Sequence, residues 1–166
     1  NIDKKLTRMT SIASDYTIVD YNMPVVEYAH RFRADDLKIF KGYKIRNIAY
    51  LPYQAQKDMK ITLRVYEADV DGSNHKLISE RVVKEYGTAV WNTTLLTKSV
   101  EITGEKELWV AIRCESSTGV VRIFVDKGPI VEDYGNWVKL GEDEWTADKA
   151  ISGNFFLYVP LTAPAT

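Results

Sequence analysis

Apolar and polar residues alternate with a period of two at three places along the chain. These are Ile61-Thr62-Leu63-Arg64-Val65-Tyr66, Leu108-Trp109-Val110-Ala111-Ile112-Arg113-Cys114 and Val121-Arg122-Ile123-Phe124-Val125-Asp126. A strand turns successive side chains to opposite faces, so the pattern sends one set into a core and the other outward. The second set is often aromatic or small rather than charged, which predicts some strands covered on both sides. Strands are expected at 16–21, 26–33, 45–53, 59–68, 77–86, 90–96, 99–103, 107–115, 121–126, 136–140 and 154–161. Leu63, Val65, Leu108, Val110, Ile112 and Ile123 are the expected core.

Turn chemistry separates these runs. Asp71-Gly72 between two strong strands is a hairpin signal. Tyr86-Gly87, Thr103-Gly104, Thr118-Gly119, Lys127-Gly128-Pro129, Tyr134-Gly135-Asn136 and Leu140-Gly141 follow. This spacing fits an all-β, antiparallel β-sandwich, and no strand–helix–strand alternation suggests a parallel sheet. One helical turn is expected over Ala34–Phe40, capped by Asp35 or Asp36 and ended by Gly42. Residues 1–14 are weakly patterned and read as a tether or linker. The single domain spans 15–162, and Ala163 to Thr166 form a frayed end.

Composition agrees with strands. Val, Ile and Thr occur 16, 13 and 13 times in 166 residues, far outnumbering the strong helix formers Ala and Leu. Lys+Arg 22 against Asp+Glu 23 leaves a net charge of −1. Without a basic run there is no electrostatic footprint for nucleic acid, and Asp35 and Asp36 interrupt the densest basic stretch. No apolar run is long enough to cross a membrane as a helix. The chain opens on Asn1-Ile2-Asp3-Lys4-Lys5 with no visible signal peptide, as a mature or trimmed chain does.

Chemistry-bearing motifs are sparse. His30 lies in a strand-like run, and His75 follows a turn and is expected at the surface. Neither has zinc-ligand spacing. Cys114 continues the Leu108, Val110, Ile112 face and reads as a buried small hydrophobe. There is no nucleophile elbow, phosphate loop or dinucleotide fingerprint, and no cofactor is expected. Paired carboxylates for glycoside hydrolysis remain open, because sequence cannot supply their separation. Asp69-Val70-Asp71-Gly72-Ser73-Asn74 offers oxygen ligands, but its glycine is fourth where the calcium loop has it sixth, so a polar turn is expected. Glu142-Asp143-Glu144 reads as a solvated acidic turn.

Aromatics carry the functional expectation. Asp133 to Trp145 holds two of the four tryptophans among glycine turns. Glycine lets the backbone turn tightly, so large side chains can project from a hairpin. Trp137 and Lys139 should share one strand face, with Asn136 and Val138 on the other. The expected ligand-binding set is Asp133, Tyr134, Asn136, Trp137, Lys139 and Trp145: an aromatic plane beside hydrogen-bonding groups. In the competing arrangement Trp137 seals the core.

The order of segments resembles a secreted β-sandwich domain found beside gingipain-type adhesins of Gram-negative anaerobes. The matching stretches are Ala29 to Pro52, Val65-Tyr66-Glu67, Val90 to Leu96, Glu107 to Ile112, Val125 to Pro129, Gly135 to Trp145 and Phe155 to Val159. They cover about residues 25–161. The resemblance implies a jelly-roll module at the cell surface, secreted or lipid-anchored, with no catalytic residues to transfer. Two departures are that this chain stands alone and that the loop Glu115 to Gly119 is short. The expected function is an extracellular, non-catalytic adhesion or interaction module meeting a host or bacterial surface protein or glycan. The alternative is a carbohydrate-binding module of a polysaccharide-degrading system, with a carboxylate hydrolase third.

Overall fold

The computed structural model describes residues 4–11 and 14–165. In chain order the strands are β1 (Lys5–Leu6), β2 (Tyr16–Tyr21), β3 (Val25–Phe32), β4 (Lys44–Tyr50), β5 (Met59–Ala68) and β6 (Lys76–Val82). They continue with β7 (Asn92–Glu101), β8 (Glu107–Ser116), β9 (Val121–Asp126), β10 (Trp137–Leu140), β11 (Thr146–Ala147) and β12 (Leu157–Thr162). One helical turn, α1 (Ala34–Leu37), runs into a 3-10 turn at Lys38–Phe40. The Asp36 carboxylate closes that turn by accepting from the Arg33 backbone N–H at 3.2 Å.

One sheet has the order β1-β12-β4-β7 and a second β11-β10-β3-β8-β5-β6, while β2 and β9 form a separate pair. Setting aside β2, β9, β10 and β11, the remaining strands pair first with last, second with seventh, third with sixth and fourth with fifth. The observed antiparallel pairs are β1 with β12, β3 with β8, β4 with β7 and β5 with β6. A long antiparallel ribbon rolled around a barrel of side chains gives this nesting, which is the jelly roll. The all-β sandwich expected from turn spacing is therefore the observed fold.

The core lies between the sheets. Leu63, Val65, Val110 and Ile112 are fully enclosed, and Leu108 and Ile123 are nearly so. Tyr28 of β3 and Leu63 of β5 flank Ile112 in register across the second sheet. Cys114 is buried as expected, and burial pushes its thiol well above the ordinary range.

Two expectations change. Residues 90–96 and 99–103 do not form separate strands. β7 runs unbroken through both, with a register shift opposite Ile45 and Asn47 of β4. Leu96 and Val100 both face the core, and the exposed residues 97–99 between them break the alternation. The second change concerns the expected tether. Residues 1–3, 12 and 13 lie outside the described residues, but 4–11 belong to the fold. Leu6 is buried, and β1 completes the first sheet against β12. Arg8 then locks onto β3: its backbone N–H donates to His30 Nδ1 at 3.0 Å and its Nε to the Arg31 carbonyl at 2.9 Å. A two-residue strand is too short to show any periodicity, so nothing in the pattern marked it.

Candidate functional site

The segment Asp133 to Trp145 is shaped by packing behind it. Gly135 is required by space: a Cβ there would clash with the Asn154 side-chain oxygen. Asn136 is fully buried, with Oδ1 accepting from the Asp133 N–H at 3.0 Å and Nδ2 donating to the Asp148 carbonyl at 3.1 Å. It shapes the turn and presents no surface. β10 then lies between β3 and β11, with Trp137 opposite Ala29 on one side and Ala147 on the other. Val138 points into the core at 1% exposure, while Trp137 and Lys139 sit half-buried on the outer face. The expected division of the strand is the observed one.

The outer face of the second sheet carries an aromatic cluster larger than this segment. Ala29 and Ala111 are neighbours in register, and their small side chains make a floor between bulky ones. Trp109 stands beside it, fully buried, with its ring centroid 4.8 Å from Trp137 and 5.5 Å from Trp145. Tyr66 of β5 meets Trp145 edge-on at 5.9 Å. His75, from the turn between β5 and β6, closes over Trp109 at 4.2 Å. The indoles do not form one flat platform, since Trp109 is inclined 55° to Trp137 and 57° to Trp145.

Charges rim and underpin this cluster. Glu107, fully buried, takes a bidentate pair of bonds from Arg31 Nε and Nη2, both at 2.7 Å, and a third from Trp109 Nε1 at 3.0 Å. The Tyr134 ring lies 5.0 Å from the Arg8 guanidinium and 5.2 Å from that of Arg31. Glu27 is buried beneath Arg64, at 3.2 Å, and the Tyr66 hydroxyl, at 2.6 Å. Burial, then the Glu27 charge, raises the Tyr66 phenol above its ordinary range. The Asp133 carboxylate is exposed and held by Lys149 at 2.9 Å, while Trp137 Nε1 donates to the Asp133 carbonyl.

Asp133, Tyr134, Trp137, Lys139 and Trp145 thus gather on one face, and Asn136 does not. Trp109, Tyr66, His75, Arg31 and Glu107 were not in the expected site. Their signal was present in part: Glu107, Trp109 and Ala111 are the second face of an alternating strand. His75 is not the surface residue the sequence suggested. Its ring is half-buried, and burial lowers its affinity for a proton.

His30 is fully enclosed. Its Nδ1 accepts from the Arg8 N–H, so Nε2 carries the proton and donates to the Phe155 carbonyl at 2.7 Å. Burial holds its pKa down at about 3. In the Asp69–Asn74 turn, Asp69 takes bonds from Asn74 and Lys106, both at 2.7 Å, and Asp71 from the Ser73 N–H at 3.0 Å. Among the described residues no group of three or more His, Cys, Asp or Glu side chains is placed to hold a metal ion. No helix among them is long and apolar enough to cross a membrane.

No protein-family model and no curated protein matches the chain. Among solved structures it is similar to those of infectious bursal disease virus strains Gx and Gt. Each is 9% identical, with TM-scores of 0.39 and 0.38. Both matches cover 99% of this chain but only 37% and 38% of the viral chains, well under two thirds of their length. Scores this low carry no argument, and the fold assignment stands on the strand pairing itself. Nothing in these comparisons assigns an adhesin family; what holds of that resemblance is the all-β sandwich.

Proposed function

We propose that the protein is a non-catalytic interaction module of the cell surface that binds a protein partner through the outer face of its second sheet. The observation that carries this reading is the cluster of Trp137, Trp145 and Trp109 on an alanine floor. Half-exposed indoles anchored on a buried one are rigid and lose little entropy on binding, as interface anchors require. Lys139, Glu142 and Glu144 supply a polar rim around that apolar centre. A glycan is the weaker fit here because several polar groups beside the exposed indoles already have partners. Trp137 Nε1, the Asp133 carboxylate and the Asn136 amide are all engaged within the protein. The resemblance to surface adhesins supports an extracellular location for the module.

The test is binding of the labelled protein to immobilised extracellular-matrix proteins and, in parallel, to a glycan array. Binding to a matrix protein that is lost in Trp137→Ala and Lys139→Glu, with the thermal midpoint little changed, is the expected result. Binding that survives both substitutions removes this face from consideration. Binding confined to glycans and lost in Trp137→Ala favours the carbohydrate-binding alternative.

A further inference from the structure

A second aromatic surface lies on the other sheet. Along β12, Leu157 and Val159 enter the core, while Tyr158 and Pro160 face outward half-buried. Trp91, just before β7, lies nearly parallel to Phe156, with planes 9° apart and centroids at 5.9 Å, and meets Tyr158 at 5.0 Å. Phe156 is 1% exposed, so it backs one face of the half-buried indole. Between these rings and the N-terminal segment runs a groove of about 1110 Å³. That slightly exceeds the roughly 300–1,000 Å³ of small-ligand clefts and leaves room for more than one sugar ring.

The chemistry of the groove is one-sided. Lys4 and Lys5 line it, as do the hydroxyl residues Thr10 and Ser11, and among the described residues no Asp or Glu does. Among the described residues neither lysine forms an ion pair. The Lys5 ammonium instead sits 5.1 Å above the Tyr158 ring. The Asp126 carboxylate behind the segment is 1% exposed and accepts from the backbone N–H groups of Thr10, Gly128 and Asn154. Its charge is enclosed rather than offered to the groove.

We propose that this groove binds an acidic oligosaccharide, with a sugar ring laid on Trp91 and uronic-acid carboxylates met by Lys4 and by Lys5, which sits over Tyr158. The π face of an aromatic ring is its negative side and attracts the polarised C–H face of a pyranose. Two ammonium groups with no carboxylate partner among the described residues favour an anionic chain over a neutral one. Desolvating the lysines beside aromatic surface strengthens each pair relative to open water. The site lies on the sheet opposite Trp137 and stands or falls independently of the docking face.

Calorimetric titration at low salt with oligogalacturonate, cellohexaose and a poly-glutamate peptide tests this. Saturable oligogalacturonate binding is expected. It should weaken about tenfold or more in Trp91→Ala and in the exposed double variant Lys4→Glu/Lys5→Glu, weaken with added salt, and persist in Trp137→Ala. Lysine substitution leaves the core untouched, so it remains informative if Trp91→Ala fails to fold. Failure to bind oligogalacturonate, equal binding of cellohexaose, or equal binding of the peptide overturns the proposal. Binding unaffected by the lysine substitutions also overturns it.

Discussion

His75 stands edge-on over the indole of Trp109, with ring centroids 4.2 Å apart and planes at 89°. Its Nε2 is buried with no hydrogen-bond partner among the described residues. The imidazole lies among the rings of Trp109, Tyr66 and Trp145, nearest to Trp109, and His75 in turn shields one side of that indole. His75→Ala should lower stability by about 1 kcal/mol, the scale of an aromatic pair. Trp109→Ala should cost about 3–5 kcal/mol, since it empties a buried indole site. Urea unfolding followed by circular dichroism separates the two, and equal costs would mean Trp109 is not the centre of the cluster.

Arg31 and Glu107 make the second prediction. The Glu107 side chain is fully enclosed, and its fork of bonds with Arg31 is bidentate. Removing the guanidinium leaves a buried carboxylate without its counter-charge. Arg31→Ala should destabilise by about 3–5 kcal/mol, whereas the double change Arg31→Met/Glu107→Gln should recover much of it. Arg31→Lys should not substitute fully, because an ammonium cannot reproduce the planar fork. A single Arg31→Ala effect near zero would show that water reaches Glu107.

Stability should also depend on pH through His30. Its pKa is held at about 3 in the native state against 6.5 for an unperturbed histidine. Between those values the unfolded chain binds a proton that the native protein excludes. The stabilisation is fully present above 6.5 and is lost as pH falls toward 3, on the order of 1 kcal/mol per pH unit. His75, also depressed by burial, acts in the same direction. Nuclear magnetic resonance should find the His30 Cε1–H shift flat through pH 6.5; a midpoint there would contradict the assigned bonds to Arg8 and Phe155.

The N-terminal segment should behave as part of the fold. Leu6 is 6% exposed within the core, so Leu6→Ala should cost about 2–5 kcal/mol. Deleting residues 1–11 should remove more, because it also strips the edge of β12 and the Arg8 N–H from His30. Thermal unfolding of the two variants checks this, and a deletion as stable as the full chain would restore the reading of this segment as a tether.

At the centre of the sandwich, Ile112→Ala should cost about 2–5 kcal/mol by leaving a cavity between Tyr28 and Leu63. The same substitution at Ile39, which is 80% exposed, should stay within about half a kcal/mol.

The sequence by itself determined the strand content and the buried face of β5, β8 and β9. Alternation is a local property: β5, β8 and β9 each carry enough residues for a period of two to stand out, and their inward positions are the core. It also determined that Trp137 and Lys139 share a face, since two residues along one strand must do so. The tertiary structure decided everything that depends on which strand lies beside which. Trp109, Trp137, Trp145, Tyr66 and His75 come from separate segments, and only the ordering β10-β3-β8-β5 brings them together. Asn136 looked like a surface amide because its neighbours are turn residues, yet the return of the chain at Asp148 encloses it. Strand β1 was illegible because two residues have no period, and its place is set by the free edge of β12. Local pattern reports how a residue faces its own strand, and contact across the sandwich decides what that face meets.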